Sequence, residues 1–346
     1  MKRFGLTAMS FIFLVVIHIV VFVAGFVSPS DFATQDRELP YCPPTRIHWV
    51  DEKGRLLLLH PFVYRWVGRA GDFEQYREDQ RIRYPIHVFT QGAKYTIGGV
   101  VSWDRHLLEV DPPARIFLMG SDGYGRDLFS RILFGGQISL FAGLSATLLS
   151  LTLGVILGTL AGFYEGWLGA LIMRSVDLFL SLPWLYLLLA LRECLPLRTS
   201  PAEAFMLFII VIGLVGWARP ARLVQGIVLS VKGRKHLLAA RSFGASDLYL
   251  LRRHILPEVR GLVLTQAALL IPQYVLAEVT LSFLGLGVGE PTPSWGGILA
   301  TLQQYHVLIA KWWMFSPGLI LIPVIVSYGM LSHPPENRSQ VRGWLA

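Results

Sequence analysis

The sequence has 346 residues, of which 53% are hydrophobic and 16% are charged, and its mean hydropathy is +0.51. A soluble domain usually carries about 25% charged residues, so this composition argues against a soluble enzyme. Two cysteines without a Cys-x-x-C spacing exclude a disulfide scaffold and a thiolate zinc site. The remaining class is a polytopic membrane protein.

Six apolar runs approach the roughly 20 residues that a helix needs to cross a bilayer. They cover residues 6–27, 138–161, 168–191, 204–229, 262–283 and 314–331. A cleaved signal peptide is the alternative for the first run, but the run is long for one and no A-x-A site follows it. A retained anchor is therefore favoured. The second run is rich in small residues, which let membrane helices approach closely.

Charge is distributed unevenly along the chain. Residues 28–131 hold 14 basic and 14 acidic side chains, so the whole net charge of +8 lies outside this block. The most basic stretch is the loop at 230–260, and Lys2 and Arg3 precede the first run. Because basic loops mark the cytoplasmic side, we predict six spans with both termini cytoplasmic and the neutral block outside. Basic residues placed beside apolar runs also argue against nucleic-acid binding.

Residues 28–118 are predicted to form a small folded insert. Two runs rich in β-branched and aromatic residues, 82–89 and 94–101, are separated by Gln91-Gly92 and predict a β-hairpin. Cys42 lies in this insert, and Cys194 lies in the loop after the third span, on the same side. A disulfide between them in an oxidising compartment is one alternative, and two unpaired thiols are the favoured one.

Residues 121–134 allow two interpretations. Ser121 or Asp122 can cap a helix whose apolar residues fall on one face. These apolar residues are Leu128, Phe129, Ile132 and Leu133. The segment is either a helix lying on the membrane surface or the first turns of the second span.

The loop at residues 232–258, called the elbow below, is predicted to form a helix, a turn and a second helix. Gly244 interrupts the first helix because glycine is a poor helix former. Ser246 or Asp247 can cap the second helix, and Pro257 is expected to close it.

Small side chains at Ala239, Ala240 and Gly244 would let the surface of another protein approach the elbow closely. The alternative is a solvated connector that packs only on its own chain, but docking is favoured for a loop of this length. The pattern of two alanines, a glycine four residues on and a later Ile-Leu-Pro resembles the EAA loop of bacterial ABC-importer permeases.

Three further stretches resemble the dipeptide and oligopeptide branch of that family. They are G-S-D-x-x-G-R-D-x-x-S-R at 120–131, D-x-x-L-S-L-P at 177–183, and S-F-L-G-L-G-V followed by P-T-P-S-W-G at 282–296. Three features depart from the family pattern. Leu238 stands at the acidic position of the EAA motif, the C-terminal N-x-x-G-D-x-L-R-D pattern is absent, and the insert is longer than usual.

The resemblance implies an all-α polytopic membrane protein with the six transmembrane helices of the type I ABC-importer permease fold. A small extracytoplasmic α/β or β-containing insert follows the first helix. The implied division is an anchor helix at 1–27, the insert at 28–118, an interfacial segment at 119–136, a five-helix core at 137–333 and a cytoplasmic tail at 334–346. The implied location is the bacterial inner membrane.

The implied function is that of a permease subunit in an ATP-driven importer of peptides or similar small solutes. The alternative function is an ion- or proton-coupled secondary transporter, a class that often shows inverted repeats and intramembrane acids. The resemblance further implies that solute selectivity depends largely on an external binding protein.

No G-x-x-x-x-G-K-[ST] loop is present to cradle phosphates, so we expect ATP and Mg²⁺ on partner ATPase subunits and no cofactor on this chain. We expect no catalytic residue, and the scattered histidines give no metal site. The implied partners are a second permease subunit, two ABC ATPase subunits, an extracytoplasmic solute-binding protein and the lipid bilayer.

The resemblance implies that the elbow couples the permease to the ATPase. The assigned coupling residues are Ala239, Ala240, Gly244, Ala245, Asp247, His254, Ile255, Leu256 and Pro257. Candidate pathway or gate residues are Glu278, Gly285 and Gly287, since an acid in a span is costly and irregular backbone there must be protected. Simple helix termination is the alternative for the glycines.

Two smaller predictions concern side chains in or near the spans. Asp177 is expected to pair with a basic residue for purely structural reasons, the candidates being Arg174, Arg219 and Arg222. Tryptophans are enriched at membrane interfaces, and this position is expected for Trp295, Trp312 and Trp313.

Overall fold

A computed structural model of the chain describes residues 2–50, 61–69, 72–98, 101–164, 166–183, 186, 190 and 200–332. Its longer helices are Lys2–Phe22, Leu128–Phe163, Trp167–Ser181, Pro201–Gly216, Ala218–Lys232, Leu256–Phe283 and Ser316–Ser332. Shorter helices are Ala24–Val27, Lys235–Ser242, Asp247–Leu250, Trp295–Ala300 and Tyr305–Ala310. A π-helical turn covers Leu251–Ile255, and 3₁₀ turns cover Thr301–Gln303 and Trp312–Phe315.

Within these described residues, five helical stretches are long and apolar enough to cross a membrane. They are Gly5–Phe22, Leu128–Phe163, Phe205–Lys232, Asp247–Phe283 and Trp312–Ser332. They correspond to the predicted spans one, two, four, five and six.

The predicted third span, 168–191, is interrupted. Helix Trp167–Ser181 ends at Leu182, whose backbone is extended, because the residue before a proline disfavours the helical conformation. Most of the rest of this prediction lies outside the described residues.

The chain divides into two compact units. The first contains the described parts of Met1–Leu14, Phe141–Glu278 and Pro323–Ala346. The second contains the described parts of Val15–Leu140 and Val279–Ile322.

In the first unit, glycines spaced four residues apart pack one membrane helix directly on another. Gly154, Gly158 and Gly162 lie along one face of helix Leu128–Phe163, against helix Ala218–Lys232. A Cβ on Gly158 would lie 2.4 Å from the carbonyl oxygen of Ala221. Close backbone approach through small residues is therefore what joins these two helices.

We expect Gly158→Ala to destabilise the protein by about 1 kcal/mol or more, because the added methyl group meets backbone that must move. The measurement is thermal unfolding of the purified protein in detergent. Gly226→Ala is the matched control, since Gly226 lies in helix Ala218–Lys232 with open space around it. Equal unfolding temperatures for the two variants would contradict the close packing.

The elbow joins the fifth span without a break, so the prediction that Pro257 closes the second elbow helix is wrong. The π-helical turn Leu251–Ile255 leads directly into helix Leu256–Phe283. The π turn shifts the hydrogen-bond register just before Pro257, which accommodates a residue without a backbone N–H inside the continuous helix.

The insert in the second unit contains a three-stranded antiparallel sheet in the order β1-β2-β3. The strands are β1 Phe62–Arg69, β2 Asp72–Ile97 and β3 Val101–Val110. The predicted hairpin turn at Gln91-Gly92 is wrong, because both flanking runs belong mainly to β2 and the register shifts between Gln91 and Tyr95 as at a β-bulge. A Cβ on Gly92 would lie 2.7 Å from Cδ2 of His106, so glycine permits the close approach of β3.

The segment at 121–134 does not form a helix of its own before the second span. Its helix starts at Leu128 and continues to Phe163. Arg126, Asp127 and Arg131 are buried in the protein, so the segment has no polar face to turn toward lipid headgroups.

Cys42 forms no disulfide with any residue that the structure describes, and it is completely buried in the second unit. Burial raises the pKa of this thiol, which keeps it protonated and unreactive. Cys194 lies outside the described residues, so its pairing stays an open prediction.

Candidate functional site

The turn of the elbow is formed by Gly244. Its φ of +83° ends helix Lys235–Ser242, the Ala245 N–H donates to the carbonyl of Ala240 at 3.1 Å, and the Gly244 N–H donates to Arg241 at 3.0 Å. This pair of hydrogen bonds is the Schellman arrangement, which favours glycine at the left-handed position. The Ser246 hydroxyl then accepts from the Tyr249 N–H and caps the second helix, as predicted.

A buried apolar cluster holds the elbow on the membrane helices of the first unit. Its members are Phe163, Val224, Val228, Val231, Leu237, Leu250, Ile255 and Val259, with Ala240 and Ala245 packed against it. An ion pair between Arg234 Nη1 and Glu258 Oε1, at 3.0 Å, links the two ends of the elbow. Of the assigned coupling residues, Ile255 is therefore buried in this cluster, and Ala240 and Ala245 pack against it while staying partly exposed.

The exposed surface of the elbow is apolar and basic. Phe243 is 92% exposed at the tip of the turn, and Leu238, Leu248 and Tyr249 of the elbow are exposed as well. A surface pocket of about 400 Å³ is lined by Ser246, Leu248, Tyr249, Arg252 and Arg253. We call this surface, comprising Leu238, Phe243, Leu248, Tyr249, Arg252 and Arg253, the elbow face.

The structure distributes the other assigned coupling residues as follows. Ala239, Gly244 and Leu256 are exposed, whereas Asp247, His254 and Pro257 are half-buried. Phe243 is a candidate that the motif did not indicate. A large apolar residue placed directly before a turn glycine is the signal that could have found it.

The glycines of the predicted gate end the helix that contains Glu278. Gly285, with φ +79°, repeats the Schellman arrangement, since the Leu286 N–H donates to Leu281 at 2.8 Å and the Gly285 N–H donates to Ser282 at 3.0 Å. Gly287 packs directly on Ser282. Glu278 itself is buried. Helix termination accounts for the conformation at Gly285, and a pathway or gate role stays a prediction for all three residues.

The second unit brings together two motif stretches that are about 160 residues apart in the chain. Arg126 donates through Nε to Asp122 Oδ2 at 2.7 Å and through Nη1 to Glu290 Oε2 at 2.6 Å. Arg131 reaches the same two carboxylates, at 3.4 Å for Asp122 and 2.9 Å for Glu290. We call these four residues the arginine cluster, and the sequence did not indicate their pairing.

Asp127 and Trp295, which belong to the same two motif stretches as the arginine cluster, are also buried. Burial raises the pKa of Asp127 to about 6, against the lowering effect of hydrogen bonds from Ser130. Trp295 is fully buried, and its indole N–H donates to the carbonyl of Ile132 at 2.9 Å. Its predicted place at the membrane interface is therefore wrong.

The other predictions for single side chains have mixed outcomes. Asp177 forms an ion pair with Arg222, as expected for one of the three candidates. Trp313 is buried and donates to the carbonyl of Ser121, so the interfacial prediction is wrong for it too. Trp312 is exposed, and its place at the membrane interface stays a prediction.

Comparison with known proteins places these features in context. Residues 154–332 match a family model described as the binding-protein-dependent transport system inner membrane component. The chain is 33% identical to the dipeptide transport system permease protein of Bacillus subtilis strain 168 over 221 residues, which cover 64% of this chain and 67% of that relative.

Two further relatives show similar coverage. The chain is 36% identical to the oligopeptide transport system permease protein of the same Bacillus strain, over 63% of this chain and 70% of the relative. It is also 36% identical to the di/tripeptide transport system permease protein of Pseudomonas aeruginosa strain UCBPP-PA14, over 62% and 69%.

Proposed function

This chain belongs to the family of binding-protein-dependent transport system inner membrane components, and on that premise we propose that it passes peptides across the membrane and couples their movement to ATP through its elbow. As a member of that family the chain is a membrane permease subunit of an ABC transporter and not an enzyme. The peptide proposal is supported by the three relatives above, each of which is named as a permease of a dipeptide, oligopeptide or di/tripeptide transport system. The same relatives lend no support to an ion- or proton-coupled secondary transporter.

The proposed assembly contains a second permease subunit, two ATPase subunits and a solute-binding protein on the extracytoplasmic side. ATP and Mg²⁺ are held by the ATPase subunits, because the sequence carries no phosphate-binding loop. Both termini and the elbow lie in the cytoplasm, and the insert lies outside. The basic character of the elbow supports this orientation.

The elbow face is proposed to bind the ATPase, and the observation that carries this proposal is the 92% exposure of Phe243. This phenylalanine lies at the tip of a rigid turn, on a loop held by a buried cluster, and no residue among those that the structure describes covers it. Aromatic and arginine side chains are enriched at protein interfaces, whereas lysine and glutamate are depleted there. The elbow face, with its exposed phenylalanine and two arginines, therefore fits an apolar groove with an acidic rim on the ATPase.

Continuity of the helix provides the mechanical link between this docking point and the membrane. The stretch Asp247–Phe283 runs through the π turn without a break. At a rise of about 1.5 Å per residue it is roughly 55 Å long. When the ATPase moves the elbow, the fifth span therefore moves with it, because both belong to one helix. ATP then favours one packing of the spans through its different contacts in the two states.

The test is substitution of Gly244, which lies beside Phe243 with open space around it. We expect Gly244→Trp to leave the permease inserted in the membrane but to lower the peptide moved per ATP hydrolysed by at least about fivefold, since allosteric coupling is typically worth 1–3 kcal/mol. The measurement compares peptide uptake with ATP hydrolysis in proteoliposomes containing the full complex and its binding protein.

Two further variants separate steric bulk from backbone strain at Gly244. Gly244→Ala imposes the strained φ with only one methyl group, and Gly244→Asn adopts positive φ more readily than alanine does. Both should couple nearly normally. Full coupling by the tryptophan variant, or equal loss in all three, would overturn the docking role of the turn.

A further inference from the structure

The tip of the β2–β3 hairpin packs against the C-terminal end of the first membrane helix. The ring of Tyr95 lies on Gly25 so closely that a Cβ there would be 2.3 Å from its Cδ2 atom. The ring of Phe22 lies against Gly98 in the same way, at 3.4 Å from the corresponding Cβ position. The His106 ring is within hydrogen-bond distance of the Ser28 carbonyl, at 3.2 Å. These contacts hold the hairpin tip at the level of residues 22–28 along the axis of this helix.

This hairpin tip, residues 94–98 and 101–105, presents apolar side chains outward together with the neighbouring Phe89. Phe89, Val101 and Trp103 are 61%, 55% and 49% exposed. The ring of Phe26 lies 5.4 Å from that of Phe89 and 6.4 Å from that of Trp103, so the patch is continuous with the helix end. A shallow apolar groove of about 320 Å³ runs between them, lined by Val23, Phe26, Phe89, Ile97, Trp103 and Arg105.

The apolar patch lies at the C-terminal end of the first membrane helix, and this place indicates that lipid covers it. Only 17% of the residues in the apolar stretch Gly5–Phe22 are buried by the described part of the chain, and the apolar surface that this leaves suits the hydrocarbon of a bilayer. The helix of this apolar run ends at Phe22 and the run itself ends at Val27, and the hairpin tip contacts Phe22, Gly25 and Phe26 in this last part of the run. The patch therefore lies at the depth where acyl chains meet headgroups. Tryptophan favours this zone, and a guanidinium such as that of Arg105 can reach the phosphates from it.

We propose that the hairpin tip is a membrane-surface anchor, in which Phe89, Val101 and Trp103 insert into the leaflet at the C-terminal end of the first membrane helix. The anchor holds one end of the insert on the bilayer, while the remainder of the sheet stands in water. This role depends on the membrane position of the first helix and is independent of the transported solute.

Depth measurements on spin labels test the anchor in the complete transporter, reconstituted in lipid nanodiscs. Labels are placed by Trp103→Cys and Val101→Cys in a Cys194→Ser background, and buried Cys42 is left in place. Ile82→Cys is the matched control, because Ile82 is an exposed apolar residue of β2 located roughly 40 Å along the strand from Tyr95, at about 3.3 Å per residue.

We expect the labels at 103 and 101 to collide more often with oxygen, which concentrates in lipid, than with a water-soluble nickel chelate. The label at 82 should show the opposite preference. If the labels at 101 and 103 match the aqueous profile of position 82, the anchor is refuted. Protection from both reagents would also refute it, since a second protein chain would then cover the patch. Two reporter positions keep the test decisive if one variant does not fold.

Discussion

Replacing Phe243 by alanine is expected to weaken binding of the ATPase subunit about 30-fold or more. Phe243 is 92% exposed at the tip of the elbow, yet the turn that presents it is rigid because Gly244 closes it with two backbone hydrogen bonds. Central aromatic residues of protein interfaces typically contribute at least 2 kcal/mol, and each 1.4 kcal/mol corresponds to a factor of ten in affinity.

The measurement is the dissociation constant between the purified permease pair and the ATPase in detergent. Tyr305→Ala is the control, because Tyr305 is a similarly exposed aromatic residue on a short helix of the second unit. It should bind the ATPase as the unchanged protein does. If the phenylalanine variant binds with unaltered affinity, the elbow face is not the docking surface.

Replacing Asp122 by asparagine is expected to cost about 3 kcal/mol of stability, because removing one partner of a buried ion pair leaves an uncompensated buried charge. The Arg126 and Arg131 side chains are only 5% and 3% exposed, and Asp122 is buried with them. Glu290 is 58% exposed and would be the one carboxylate left in the arginine cluster. Its charge is partly screened by solvent, so it cannot compensate two guanidinium groups.

Asparagine is chosen because it changes the charge and keeps the shape. Its side-chain oxygen can still accept from the backbone N–H groups of Tyr124 and Arg126, which Asp122 Oδ1 accepts now at 2.9 and 3.0 Å. The measurement is the free energy of unfolding in detergent. Asp79→Asn is the control, since Asp79 lies 3.9 Å from the exposed Arg81, and surface pairs contribute about 1 kcal/mol or less. Similar losses of unfolding free energy in both variants would show that the buried ion pairs stabilise the protein no more than a surface pair does.

Local signals in the sequence were sufficient for features that depend on neighbouring residues. The apolar runs predicted six spans, and five of them correspond to helices of spanning length in the described residues, because the number of residues that crosses a bilayer depends on length and hydropathy alone. Gly244 and Ser246 predicted the elbow turn and its cap, because both act through backbone groups within a few residues. The small residues of the second span likewise predicted close helix packing.

Local signals failed where a distant segment determines the conformation. Gln91-Gly92 has the composition of a turn, but His106 of β3 packs beside Gly92, and a bulge forms instead. Pro257 has the composition of a helix end, but a π turn accommodates it in a longer helix. Both outcomes depend on hydrogen-bond partners that composition does not specify.

Tertiary structure alone decided which charged and aromatic residues are buried. Arg126 and Arg131 belong to one motif, and Glu290 and Trp295 belong to a stretch about 160 residues later, so no spacing rule connects them. Folding brings them together because two guanidinium groups can leave water only if carboxylates meet them at hydrogen-bond distance. The sequence by itself determined the class, the membrane helices and the elbow of this protein, and the three-dimensional packing determined which of its polar groups became partners.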